Sequence, residues 1–460
     1  MTDTGNPAHV PQVVHLGSEY GVTGSGHLLQ ANSLNILVDC GLAQGDDRVM
    51  PMENWPVRPS EIHFVFITHA HIDHIGHLPF LIKHGFKGEI LTTHPTQELI
   101  VPMLEDAMGF PEMQVVPYRE TIQKLQKMTW GFEYSETFDL KKNIRFQLKR
   151  AGHILGSCFV RLVSTDPPWS VIFSGDIGTG HQPLLVDPDP PDACDLLVLE
   201  STYGDRTHED RDGRIERLGT VLERAVADGG KVYIPAFALG RTQMLLYDLH
   251  RLSTDPDLRK TFPNLDLDNT IPVFLDSPLG SDITEIYQRM CRFWDTDSRN
   301  MMRSGENPLA LEKLYTAAST MGHDELLHLS GPHIILAGSG MCTGGRIIDH
   351  LKFGIEDPKN DIIFVGYQAR GTTGRSILQQ KNRSGAAVEL EDQTYAIRAA
   401  VHEITGYSAH ADQKEITAWV SAMPEKPGAI RLVHGEPAAQ QALANHLRAH
   451  GFNVLDEAVQ

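Results

Sequence analysis

The segment Ile62-His-Phe-Val-Phe-Ile-Thr68-His69-Ala-His71-Ile-Asp73-His74 runs from an apolar, β-rich stretch directly into four potential metal ligands. On extended backbone, residues i and i+2 project to the same side, so His69 and His71 can present their imidazoles to one ion. Asp73 and His74 open the next apolar pattern, Ile75-Gly-His-Leu-Pro-Phe-Leu-Ile82, where their side chains can turn to a second ion. Imidazole and carboxylate are ligands suited to zinc, and manganese or iron accepts a similar set. Histidines of a solvated loop would be scattered; four ligands packed at the end of a buried strand argue for a metal site.

Three more residues join this group by order and context: Asp39 at the end of Leu34-Asn-Ile-Leu-Val-Asp39, His153 in Ala151-Gly-His-Ile-Leu-Gly156, and Asp176 in Phe173-Ser-Gly-Asp-Ile177. Each alone would read as a turn former or a loop residue. Taken in order, strand-end Asp, His-x-His-x-Asp-His, lone His and lone Asp, the set resembles the metallo-β-lactamase fold superfamily. That resemblance implies an α/β fold, an αββα sandwich, with two Zn2+ per chain (Mn2+ or Fe as the alternatives). It assigns His69, His71 and His153 to one ion and Asp73 and His74 to the other, with Asp176 as bridge. Asp39 would orient the histidines from behind.

Fold and metals alone do not name a reaction. Further along, Leu199-Glu200-Ser-Thr-Tyr-Gly204, Gly406-Tyr-Ser408-Ala-His410-Ala and Val433-His434-Gly-Glu436 are similar to the three signature elements of the β-CASP branch, which processes nucleic acids. The similarity continues through Pro235-Ala-Phe-Ala-Leu-Gly-Arg241-Thr-Gln and Gly338-Ser-Gly-Met-Cys-Thr-Gly-Gly-Arg346, covering essentially the whole chain. It implies a β-CASP α/β domain at 205–395, inserted between metallo-β-lactamase parts at 1–204 and 396–460. It also implies a zinc-dependent ribonuclease that hydrolyses phosphodiester bonds with a metal-activated water, leaving a 5′-phosphate and a 3′-hydroxyl.

By the same resemblance His410 is the general acid, oriented by Glu200, and Asp73 is counted with them as catalytic. His434 completes the second metal's shell, and its presence favours RNA over DNA as substrate. Ser408 would hold a phosphate oxygen. Arg241, Gly340 and Arg346 lie in Gly-containing turns that could bind the RNA backbone, as could Arg370 and Arg375. The run 338–345 lacks G-x-G-x-x-G spacing, so it is not a dinucleotide loop. A thioester or lactam hydrolase would leave Glu200, His410, His434 and the insertion unexplained, and a noncatalytic RNA-binding subunit would be expected to have lost ligands.

Bulk properties fit this reading. A chain of 460 residues exceeds the roughly 250–300 at which one core stops growing, so more than one unit is expected. Lys plus Arg 40 against Asp plus Glu 59 gives a formal charge of −19, the wrong sign for a protein that coats nucleic acid over its whole surface. Residues 1–20 lack Lys and Arg, and no stretch approaches the ~18 apolar residues of a membrane span, so a cytoplasmic, membrane-free protein is expected. Cys40, Cys158, Cys194, Cys291 and Cys342 are odd in number and widely spaced, which fits reduced thiols. β-rich runs such as Val171-Ile-Phe-Ser174 and Leu196-Leu-Val-Leu199 dominate the first part. From about Asp205 a helical pattern at 214–228 and strands Lys231-Val-Tyr-Ile234 and His333-Ile-Ile-Leu336 suggest a parallel α/β sheet. A homodimer is compatible with the sequence.

Overall fold

The computed structural model describes residues 11–109, 118–208, 213–317, 320–381 and 383–455. Two compact units divide the chain, Met1–Thr207 with His410–Gln460, and His208–Ala409.

The first unit is built on two six-stranded sheets. One runs in the order Gln12–Gly17, Gly26–Ala31, Leu34–Val38, Phe64–Phe66, Glu89–Thr93, Thr129–Phe132; the other runs Ala429–Val433, Leu196–Glu200, Pro168–Phe173, Cys158–Thr165, Ile144–Arg150, Thr137–Asp139. Side chains alternate between the faces of a strand, and that alternation makes the sandwich. Val171, Phe173, Leu196 and Val198 point to a shared core with Val38, Phe64 and Phe66 of the facing sheet. Their neighbours Ile172, Leu197 and Leu199 point the other way, onto Ile416, Trp419 and Val420 of the helix Gln413–Ser421 and Leu443 of Pro437–Ala449. Covered on both faces, these strands read as unbroken apolar runs. On the outer side of the first sheet the helix His94–Ala107 packs against Glu89–Thr93 and Thr129–Phe132. The layers are helix, sheet, sheet, helix, the αββα sandwich that was expected.

The second unit carries one six-stranded parallel sheet, in the order Leu314–Thr316, Val273–Asp276, His333–Ala337, Lys231–Pro235, Asp361–Phe364, Ala400–Glu403. Helices Arg214–Ala227, Arg241–Thr254, Pro278–Arg289 and Arg346–Gly354 alternate with the strands, as a parallel sheet requires. The boundary expected at 395/396 differs from this division. Ala400–Glu403 pairs in parallel with Asp361–Phe364 as the sheet's last strand, and the ladder draws 396–409 into the central unit. All five cysteines are free thiols. Among the described residues no helix is long and apolar enough to cross a membrane.

Candidate metal centre

In the sandwich unit the site residues sit where strands end. Asp39 follows Leu34–Val38 and takes a left-handed backbone, φ 61°, which Asp tolerates better than most residues. This turn aims its carboxylate at the histidine motif: Thr68 N–H donates to Oδ1 at 2.8 Å, and Thr68 Oγ1 and His74 Nδ1 both lie 2.8 Å from Oδ2. With its Nδ1–H given to Asp39, His74 keeps the lone pair of Nε2 for a metal. A single helical turn, Ile72–Ile75, carries Asp73 and His74. It rests so closely on Gly41 that a Cβ there would overlap the Asp73 carbonyl.

His153 stands in a loop closed by Ser157 Oγ, which accepts from the N–H of His153 and of Ile154. Asp176 follows Pro168–Phe173 across Gly175, whose φ of 52° and contact with the Thr68 side chain both require glycine. His434, φ 53°, ends Ala429–Val433, which pairs in register with Leu196–Glu200. Glu200 and His434 therefore emerge at the same end of neighbouring strands.

Two ligand groups result, one of His69, His71, His153 and Asp176, the other of Asp73, His74 and His434. His71 Nδ1 lies 3.1 Å from both His69 Nε2 and His153 Nε2. His74 Nε2 lies 3.3 Å from His434 Nε2. Asp176 stands between the groups. Its Oδ2 is 3.5 Å from His69 Nε2 and 3.6 Å from His153 Nε2, while Oδ1 is 3.4 Å from His74 Nε2 and 3.6 Å from His434 Nε2.

These distances test whether the residues fit metal ions. Zinc–nitrogen bonds of about 2.0–2.1 Å in tetrahedral array set ligand atoms roughly 3.3–3.4 Å apart, close to the separations found. Asp176 Oδ1 is buried and accepts no hydrogen bond among the described residues, an arrangement that is costly unless a cation occupies its lone pairs. Burial, reinforced by neighbouring His74, drives the His69 pKa well below the ordinary histidine value, which keeps it in the neutral form that binds metals. At His74 and His434 burial is instead outweighed by nearby carboxylates, Asp176 foremost, which hold both above that value, so an ion bound there would displace their protons.

A third group adjoins Asp176. His410 Nδ1 lies 3.2 Å from both carboxylate oxygens of Glu200, and its Nε2 lies 3.8 Å from Asp176 Oδ2. Glu200 is fully buried and is fixed by the N–H groups of Ile177 at 2.6 Å and Thr202 at 3.3 Å. Burial opposes charge on His410, but Glu200 and Asp176 outweigh it and raise its pKa above the ordinary value. The imidazole is thus held ready to carry a proton, with one nitrogen anchored and the other turned to the metal ligands.

Family models match along the chain: the metallo-beta-lactamase superfamily over residues 20–236, the Beta-Casp domain over 242–377, and the Zn-dependent metallo-hydrolase RNA specificity domain over 394–455. Ribonuclease TTHA0252 of Thermus thermophilus is 34% identical over 450 residues, spanning 96% of this chain and 97% of that protein. The chain belongs to the β-CASP family of metallo-β-lactamase-fold RNA-processing nucleases. Two archaeal proteins, each called transcription termination factor FttA, are more distant β-CASP relatives. That of Methanocaldococcus jannaschii is 31% identical over 95% of this chain and that of Methanothermobacter thermautotrophicus is 31% identical over 89%. The chain spans 69% and 64% of their lengths, respectively. A crystal structure of an Enterococcus faecalis protein of unknown function shares the fold, with a TM-score of 0.52 at 11% identity, covering 94% of this chain and 96% of that one.

Within this β-CASP chain, the structure brings together Asp39, His69, His71, Asp73, His74, His153, Asp176, Glu200, His410 and His434 in one unit. Ser408, Arg241, Gly340 and Arg346 belong to the other unit. Ser408 closes the turn Thr405–Tyr407, its N–H donating to Thr405 O at 2.9 Å. Gly340 lies against the Phe237 ring, where a Cβ would collide. Arg241 is buried, with Nη1 3.5 Å from Met244 Sδ. Arg346, expected on RNA phosphate, sets Nη1 2.6 Å from Asp276 Oδ1 and also on Ala317 O. An acidic residue over sixty positions earlier gives no local signal of this pairing. Thr68 and Thr202 were not read from sequence as part of the centre. Thr68 supports Asp39, and Thr202 Oγ1 lies 3.1 Å from His434 Nδ1.

Proposed function

We propose that this chain is a metal-dependent ribonuclease whose sandwich unit binds two divalent ions, zinc foremost, and hydrolyses RNA phosphodiester bonds. His69, His71 and His153 would hold one ion, Asp73, His74 and His434 the other, with Asp176 shared. Ions bound there supply Lewis acidity, lowering the pKa of water and offsetting phosphate charge. The observation that supports the reading best is Asp176, whose two oxygens address the two ligand groups separately while His410 Nε2 faces the same carboxylate.

The chain's own residues then do the following. Asp39 fixes the tautomer of His74, and Thr202 steadies His434. Glu200 orients His410, which hands a proton from Nε2 to the leaving O3′, leaving a 3′-hydroxyl opposite a 5′-phosphate. Ser408 holds a phosphate oxygen of the bound RNA. Arg241, Gly340 and Arg346 would add contacts to the RNA backbone, Arg346 through donors other than the Nη1 that Asp276 engages.

The direct test supplies purified, zinc-loaded protein with single-stranded RNA and with DNA of the same sequence. Cleavage of RNA to 5′-phosphate and 3′-hydroxyl ends, with DNA cut far more slowly, is expected; equal DNA cleavage, or intact RNA, contradicts the reading. Circularised RNA in a parallel reaction reports whether cutting is internal.

A further inference from the structure

In the central unit, a second group of metal-ligand residues forms apart from the centre above. Asp276 ends the strand Val273–Asp276, His323 lies on the helix Thr320–Leu327, and His350 lies on Arg346–Gly354. All three are buried. His323 Nδ1 and His350 Nε2 converge on a single oxygen, Asp276 Oδ2, at 2.5 and 2.6 Å, hydrogen-bond distances that an ion entering between them would widen toward the roughly 3.3–3.4 Å spacing of tetrahedral ligands. Their rings are 5.2 Å apart and stand edge to face, at 89°.

We propose that Asp276, His323 and His350 form a binding site for a further divalent transition-metal ion of the zinc class.

Proton bookkeeping supports this. Neutral imidazole has one N–H and one lone pair. His323 Nδ1 faces Asp276 Oδ2, while its Nε2 is buried, makes no hydrogen bond among the described residues, and lies 3.4 Å from Asp349 Oδ2. A neutral His323 can answer only one of these carboxylates with its single proton. The other is left facing a lone pair, a repulsion that burial makes worse at Asp276, which is fully buried, than at half-exposed Asp349. A cation at Oδ2 resolves the conflict: Nδ1 gives its lone pair to the ion and Nε2–H turns to Asp349. That is the carboxylate–histidine–metal arrangement common behind metal ligands.

The surroundings are supported in the same way. Arg346 engages Oδ1 of Asp276 and leaves Oδ2 for an ion. Arg346, Asp349 and His350 are three and four residues apart on one helix, hence on one face. Two nitrogens and one carboxylate oxygen, with a fourth position for water, suit zinc or cobalt better than the all-oxygen preference of calcium or magnesium. Bound there, the ion would clamp one strand end to two helices of the parallel sheet.

The test uses the full chain in an Asp176→Ala background, so that the count does not depend on the catalytic pair. Protein stripped by chelator is reloaded with cobalt(II), dialysed, and analysed for ions per chain and for the visible absorption of four-coordinate cobalt. His350→Gln and His323→Asn keep an N–H donor for Asp276 but are poor ligands. Each should retain one ion fewer per chain than its parent and lose the corresponding absorption. Asp349→Asn should bind cobalt roughly 10–100-fold more weakly. Equal ion counts in parent and variants would mean that the cluster holds a proton instead, and the proposal would fall. Should a variant not fold, anomalous scattering from cobalt-soaked crystals of the unaltered chain decides: a peak between Asp276, His323 and His350 upholds the site, and its absence overturns it.

Discussion

His410 is held through one nitrogen by Glu200 and turns the other toward Asp176, so deleting its ring takes away the proposed proton donor and leaves the proposed metal ligands in place. His410→Ala should retain its metals and lose on the order of 10²–10⁴ in rate on ordinary RNA. With sulfur in place of the bridging O3′, the leaving group departs unprotonated, and mutant and parent should cut at similar rates. An equal defect on that substrate would remove the general-acid assignment. Asp176→Ala should lower the content of both catalytic ions, because its two oxygens face different ligand groups; elemental analysis showing only one site weakened would assign Asp176 to that site alone. The residues of the two proposed ligand groups were legible in sequence because four of them crowd into one short segment and the others close short motifs. Thr68 and Thr202 were not, since a hydroxyl gains its role only from what approaches it in space: Thr202 meets His434 across 232 residues.

At the scale of elements, strand ends place the site, and strands buried on both faces were readable as apolar runs. The last boundary was harder. Ala400–Glu403 has the same alternating look whichever sheet accepts it, and only its pairing with Asp361–Phe364 assigns it to the central unit. Within that sheet His333 opens the strand His333–Ala337 and is almost fully buried. Burial and then Lys231 hold its pKa down to about 4 against 6.5 for the free side chain. The unfolded chain takes up this proton first, so stability is intact above pH 6.5 and declines as pH falls toward 4. The loss should approach about 3 kcal/mol at most. His333→Leu should flatten this part of the acid limb, checked by urea unfolding at neutral pH and at pH 5. An unchanged pH dependence would place the proton uptake elsewhere.

For the molecule as a whole, ions that bind only the folded chain add to its stability by mass action, about 2.7 kcal/mol when free metal stands at 100 times its Kd. Chelator treatment should therefore lower Tm, and zinc should restore it; a Tm indifferent to chelator would show that the ligands hold their arrangement without ions. A net charge of −19 also means that RNA must be drawn to local features against the general field, so association should quicken as salt screens that field before it weakens at higher salt. One last consequence comes from the strand Ala429–Val433, which returns to pair with Leu196–Glu200 and delivers His434 to His74 across 360 residues of chain. During synthesis at roughly 5–20 residues per second, the amino-terminal ligands wait many seconds for that strand. Until it arrives, the second ligand group is incomplete, so on the mechanism proposed above a polypeptide still on the ribosome is disarmed beside its own messenger.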